Sequence, residues 1–453
     1  MRRSPLLFIL LGILCTMGGL GFGRFAYPIL LPEMARALSL SRLQSGMLYS
    51  ANLAGYLLFT LVGGVLAVRW RAKPVIVASL FVGGAALFLT GFSSSFAWAL
   101  IWRFLTGLGN GGAFVPMLAL VAVWFRPQRR GLAAGTMHLG VGLSVMTVGA
   151  FIPPLMGLAK GDGWRLGWFA LGGAAIAVGM LLAFLLRDRP DDGPPPVGLP
   201  GRRMAQTGDS PPRSRGEPEA GERAAPMQSL SQTRSGSGEN PHGAWGELLK
   251  SFNLWHLGVI HFSFGFTNSV YATFFSEYLV TAQGLTLAAA GSMWAAHGLA
   301  SAASSFVWGM LSDYLGRKYA LALNFCFFLA AALLFLSGSA LPTFYLSALL
   351  FGSVAASPPA IMAAASGDYF GPRMAAGAFT VVTLFSATGQ IFGPALGGFA
   401  ADATASLGAP YWLSAMGAVL GLAASLLLAR PPQGPQAGRF SRRDRPAQAQ
   451  KRG

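Results

Sequence analysis

Two arginines stand where a charge is costly. Arg24 lies in Gly21-Phe-Gly23-Arg24-Phe25-Ala26-Tyr27 and Arg103 in Arg103-Phe-Leu-Thr-Gly107-Leu-Gly109-Asn110-Gly111, each within an apolar run long enough to span a bilayer. A charge at the bilayer centre costs about 2.5 to 3.5 kcal/mol even on the gentler insertion scales, so each guanidinium needs compensation. With Leu31 and Phe96 as the outer ends of their helices, each arginine is seven residues in, roughly 10 Å below the outer surface at helical rise. No Asp or Glu shares that depth. The pattern points to a substrate anion held by two planar donor forks. The competing fate for each arginine is to snorkel outward or to bond backbone carbonyls.

The polar residues expected to complete a substrate cavity are Tyr27, Asn52, Tyr56, Asn110, His138, Asn268, Tyr271, His297 and Gln390, with Asn52 and Tyr56 on one helical face. For any one of them, bonding between helices without substrate contact is an equal alternative. Glu33 and Glu277 are the coupling candidates, beside His138 and His297, because coupling to protons needs a group that titrates during the cycle. Both glutamates fall at outer helix ends, where a solvated acid is the plain alternative. No catalytic constellation is visible, so no enzyme activity is expected. Cys15 and Cys326 stand in different halves, and His256 and His261 are wrongly spaced for a shared helical face, so neither a metal nor another cofactor is expected.

These residues must be positioned by membrane helices. With 53% hydrophobic and 11% charged residues over 453, the chain has more apolar surface than a soluble core can hide. Apolar runs at 6–31, 43–68, 74–93, 96–124, 131–158 and 164–187 predict one six-helix bundle within residues 1–187. Six more, at 252–280, 288–312, 319–339, 342–370, 374–401 and 409–430, predict a second within 251–430. The first run has neither the short apolar region nor the cleavage site of a signal peptide and reads as an uncleaved helix. The polar stretch 188–250, rich in Pro, Gly, Ser and Arg, reads as a disordered cytoplasmic linker, and 431–453 as a disordered tail.

The net charge of +17 would suggest nucleic acid in a soluble protein. Here the basic residues collect on alternate loops, as Lys and Arg do on the cytoplasmic side, with both termini inside. The expected partners are therefore the lipid bilayer, a small-molecule substrate and a coupling proton or counter-solute, with no nucleic acid and a monomeric carrier.

The halves repeat at an offset of about 245 residues. Gly21-Phe22 and Tyr27 align with Gly265-Phe266 and Tyr271, Glu33 with Glu277, and Leu87-Phe-Leu-Thr-Gly91 with Leu334-Phe-Leu-Ser-Gly338. Parallel six-helix repeats are the plan of transporters that rock one half against the other around a central site.

Between the eighth and ninth helices Gly309-Met-Leu-Ser-Asp313-Tyr-Leu-Gly316-Arg317-Lys318 resembles the inner-loop signature of the major facilitator superfamily. Gly309 would allow close helix contact, Asp313 would accept hydrogen bonds at a helix end, and Gly316 would turn the chain so that Arg317 and Lys318 reach the membrane surface. This is a gating latch. Its first-half equivalent has Val68 for the acid and Arg71 for the turn glycine. The Arg103 segment resembles the family's second signature. The fifth helix, with Gly140, Gly149, Pro153, Pro154 and Gly157, resembles the antiporter motif with a proline where a glycine is usual. The Gly21 to Tyr27 stretch, Ser50-Ala-Asn52 with Gly55-Tyr56, and Gly265-Phe266 with Tyr271 are similar to the poorly characterised bacterial YbfB-type branch. The resemblance implies an all-α fold of twelve transmembrane helices in two pseudo-symmetric bundles. It also implies gradient-driven transport by alternating access across the bacterial inner membrane. Export of drugs or metabolites, and sensing without transport on the same fold, are the alternatives to carrying an organic anion.

Overall fold

The computed structural model describes residues 5–159, 161–189, 241–338, 340–429 and 431. Twelve long helical rods carry nearly all of them. In the first half these are α1 (Pro5–Ala37), α2 (Arg42–Trp70), α3 (Ala72–Thr90), α4 (Phe96–Trp124), α5 (Pro127–Met156) and α6 (Gly163–Leu185). In the second half they are α7 (Phe252–Thr273, continuing through Phe275–Glu277 and Tyr278–Ala282), α8 (Leu287–Leu315), α9 (Arg317–Ser337), α10 (Leu341–Gly371), α11 (Met374–Ala403) and α12 (Ala409–Leu427). Among the described residues nine helices are long and apolar enough to cross a membrane, and there is no strand.

Two sequence expectations change. The last ten residues assigned to the linker form a helix, Pro241–Lys250, whose Trp245 lies against Gly377 and whose Leu248 is buried. This amphipathic turn has apolar surface to cover, which the Pro- and Ser-rich stretch before it lacks. Residues 190–240 and 432–453, read as linker and tail, lie outside the described residues. The first helix also runs beyond Leu31. Met17–Phe25, with Gly18, Gly19, Gly21 and Gly23, winds as a wider π-helix, and Tyr27–Ala37 restarts an α-helix with Pro28 in its first turn. Glu33 is therefore held within a helix.

The repeat is visible in the backbone. Ser41 and Gln44 form a capping box at the start of α2, and Thr286 Oγ1 accepts from Ala289 N at the start of α8. Gly107 of α4 meets the Asn52 carbonyl of α2, and Gly352 of α10 meets the His297 carbonyl of α8. Arg71 turns α2 into α3 at φ 73°, ψ 153°, and Gly316 turns α8 into α9 at φ 80°, ψ 153°.

The most extensive contacts between the bundles are those of α2 with α11 and of α5 with α8. Gly46 faces the Pro394 carbonyl and Gly291 faces the Gly149 carbonyl, so any Cβ at either glycine would strike backbone. These contacts are mates under the repeat. They lie toward the end that carries the 38–41, 157–159, 283–286 and 404–408 loops, the outer end by the charge pattern. Two heptads along α5 the seam parts. Gly142 touches Ala302, whereas Gly135 and Gly309 have nothing within 4 Å of a Cβ position. The bundles thus meet closely toward one end and part toward the other, and Gly309 makes no close helix contact in this structure.

Arg71 holds a conformation that suits glycine and strains a side chain. Arg71→Gly is expected to stabilise the protein by about 1 kcal/mol, seen as a higher midpoint of thermal unfolding in detergent. A lower midpoint would show that the turn is not strained.

Candidate functional site

The seam brings some of the expected residues together and separates others. Arg24, at the end of the π-helical segment, is only part-buried and reaches both ways. Its Nε donates to the Tyr49 hydroxyl of α2 at 3.4 Å, and its Nη2 donates to Gln390 Oε1 of α11 across the seam. Gln390 is held in turn by its Nε2, which donates to Ser386 Oγ at 3.0 Å. At the next residue, Trp294 Nε1 of α8 donates to the Phe25 carbonyl at 3.0 Å. Both bundles therefore meet at Arg24. Tyr56 and His138 are part-buried nearby, with His138 edge-on to Phe114.

Arg103 does not share that surface. It is fully buried, its guanidinium lying 5.1 Å from the Tyr27 ring and 5.2 Å from the Trp168 ring, and its Nη1 donates to the Gly23 carbonyl at 2.8 Å. The residue takes the backbone-carbonyl fate. A π-helix frees carbonyls from regular pairing, and a cation between aromatic faces is favourably placed. The expectation of two arginines facing one vestibule is corrected to one facing the seam and one bracing the helix that carries it.

Several other cavity candidates belong to bundle cores. Tyr27 donates to the Ser45 carbonyl at 2.7 Å, and Asn52 Nδ2 donates to the Arg103 carbonyl at 3.2 Å. The Asn110 amide nitrogen faces the carbonyls of Gly19 and Thr106. Tyr271 is buried, stacked on Phe351 at 3.8 Å between centroids and bonded to Ser347. His297 is buried against Trp294 and Phe351. Asn268, mostly buried, donates weakly to the Ala355 carbonyl at 3.4 Å. The offset that aligns Gly21 with Gly265 makes Asn268 the mate of Arg24, so the seam is cationic on one side only.

Neither Arg24 nor Arg103 has a carboxylate partner among the described residues, where the ion pairs are Arg165–Asp162, Arg317–Asp313 and Arg317–Asp368, all at helix ends. In the Gly309–Lys318 segment Arg317 Nη1 donates to Ser312 Oγ and to Asp313 Oδ1, each at 2.6 Å. Its Nε donates to Asp368 Oδ2 of α10 at 2.8 Å, while Lys318 lies beside the Tyr319 ring. All of this is internal to the second bundle. Asp368 escaped the sequence reading, as did Tyr49, Trp168 and Trp294, because nothing local marks which residue will face an arginine from another helix. Glu33 and Glu277 each keep an Oε2 without a partner.

Two pseudo-symmetric six-helix bundles that seal at one end and part at the other define a membrane transporter. The chain belongs to the Major Facilitator Superfamily, whose family model matches residues 13–275 and again 257–451. Over 321 residues it is 25% identical to the probable sulfoacetate transporter SauU of Cupriavidus necator, covering 70% of this chain and 67% of that one. Over 207 residues it is 35% identical to the membrane sensor protein UhpC of Salmonella typhimurium, covering 44% of this chain and 43% of that one. A bacterial homologue of the human lysosomal transporter Spinster, solved in an inward-facing and occupied conformation, superposes with a TM-score of 0.66 at 17% identity over 94% of this chain and 95% of that one. At that identity the likeness is one of fold.

The two arginines are expected to fail differently. Arg103→Ala leaves a buried void and an unbonded Gly23 carbonyl and should cost about 2 to 4 kcal/mol of stability. Arg24→Ala, at a part-open surface, should cost less than about 1 kcal/mol. Thermal unfolding of the purified variants compares them, and a larger loss from Arg24→Ala would reverse the assignment.

Proposed function

We propose that this chain is a secondary active transporter that moves a small organic anion by alternating access, set in a bacterial inner membrane with both termini cytoplasmic and shaped here in an inward-facing state. The observation that carries the reading is Arg24. It is a cation without a carboxylate partner among the described residues, at the seam, bonded only to a tyrosine hydroxyl and a glutamine carbonyl. Both partners are neutral, and apart from the Phe25 ring 5.1 Å away no described group opposes the charge at this depth. A carboxylate or sulfonate would replace the Gln390 oxygen, accept from the planar fork and satisfy that charge. Because Arg24 belongs to one bundle and Gln390 to the other, an anion between them would draw on both, which is what a rocking cycle needs. The sulfoacetate named for the relative SauU is an anion of this kind. In this reading the Asp313, Arg317 and Asp368 cluster is the second-half latch, at rest while the inner end is open.

The relative UhpC is named as a sensor, so a fold that binds an anion without net flux is the second reading. Reconstituted protein separates the two. Small sulfonates and carboxylates should raise the unfolding midpoint of the wild type while neutral sugars do not, and proteoliposomes should accumulate the anion that stabilises best. Arg24→Ala should abolish both effects and Arg24→Lys should weaken them about tenfold or more, since an ammonium lacks the bidentate fork. Stabilisation without uptake would favour the sensor. Equal stabilisation of wild type and Arg24→Ala would reject the anion site.

A further inference from the structure

The sealed outer end contains a buried acid that the anion site does not use. Glu277 closes the short segment Phe275–Glu277 of α7, which packs on the outer half of α1. It is 8% exposed, and its Oε2 has no hydrogen-bond partner. Beside it the seam is tied by a second acid. Asp402, at the end of α11, accepts from the first backbone N–H groups of α2, Arg42 N to Oδ1 at 3.0 Å and Leu43 N to Oδ2 at 2.8 Å. A carboxylate at a helix N-terminus satisfies free donors and faces the positive end of the helix dipole. Since α2 and α11 belong to different bundles, this cap must break whenever the outer end opens.

Among the described residues Glu277 forms no ion pair. From α1 it faces Tyr27, whose hydroxyl is bonded to Ser45, with Glu33 and Arg36 further out. Arg36 is exposed and donates to the Pro32 carbonyl. From α2 comes Arg42, whose Nη1 donates to the Ala401 carbonyl at 3.1 Å and which forms no ion pair with Glu277. From α11 comes the like charge of Asp402, and from α12 Tyr411. Tyr278 follows on the same element. On α8, Trp294 lies against Phe275 and brings only His297, which stacks on it. An ionised carboxyl buried here would have little water and no ion pair, with the cation of Arg42 turned to the Ala401 carbonyl and a second carboxylate beside it.

We propose that Glu277 is a proton-binding site that ties closure of the outer seam to protonation, neutral while the seam is sealed and ionised once it parts. The step is simple: the carboxylate takes one proton from the outer solution as water leaves it, and returns that proton when the seam opens on the same side. A proton bound more tightly in one state than the other shifts the balance toward that state. Acid therefore favours the sealed form and alkali the open one, whatever the cargo.

The test measures the outer distance between spin labels at Ser94→Cys and Leu341→Cys, in a background without Cys15 and Cys326, in nanodiscs from about pH 5 to about pH 8, the range a buried carboxyl can span. In the otherwise native protein the closed-to-open ratio should fall about tenfold as pH rises. Glu277→Gln, similar in shape and always neutral, should stay closed throughout. Asp402→Asn should shift the ratio toward the open form at every pH yet keep its fall with rising pH, which would show that the cap and the proton site are separate. A native protein whose distances ignore pH, or a Glu277→Gln variant that keeps the full pH response, overturns the proposal. No anion is present in the experiment, so its failure would leave the Arg24 reading untouched.

Discussion

Two rigid bundles that must part during every cycle cannot be welded together, yet in each state they must exclude water along a seam some helix turns long. The structure resolves this with backbone-to-backbone approach. At Gly46 against Pro394 and at Gly291 against Gly149 the helices come close enough that no side chain fits between them. Such contacts are flat and contain no long side chains to disentangle, so the same faces can separate two heptads or more further along, at Gly135 and Gly309. The polar ties at the closed end are few. Arg24 reaches Gln390, Trp294 reaches the Phe25 carbonyl, and Asp402 caps α2. Each is a hydrogen bond that water can replace on opening.

The repeat supplies this symmetry, and the charged groups at the seam depart from it. Ser41 and Thr286 begin matching helices, and Gly107 and Gly352 meet matching carbonyls. Packing at these places is repeated because both bundles solve the same problem. Arg24 against Asn268, and Arg71 against Gly316, are not repeated. The first makes the seam cationic on one side. The second leaves the first half with the turn but without the latch acid, and with a side chain where the backbone suits glycine. Glu33 and Glu277 keep the same residue yet differ in setting, since only Glu277 is buried beside another acid.

Arg24 and Arg103 show why depth alone does not assign a role. Both lie seven residues from the expected outer ends, and both lack a carboxylate. One is stationed on a π-helical segment that turns its side chain to the seam. The other is enclosed by Tyr27 and Trp168 and satisfies a carbonyl that the same segment frees. Arg103 therefore acts on Arg24 through Gly23, by holding the turn on which Arg24 stands.

The twelve helices, their division into two related bundles and the latch loop are readable from the chain itself, because lipid demands long apolar helices and a duplication leaves its period in the residues. Likewise the need to compensate a guanidinium in an apolar span follows from composition and order alone. What only the tertiary structure decided is the direction each polar group faces. A helix presents one residue to the seam and its neighbour to the core according to a rotation of about 100° per residue. The wide turn at Met17–Phe25 and the restart at Tyr27 reset that rotation, for which no local sequence rule exists. Hence Arg103, Tyr271 and His297 went into the bundle cores, Arg24 and Gln390 met across the bundles, and Asp402 found a helix end more than three hundred residues away in the chain.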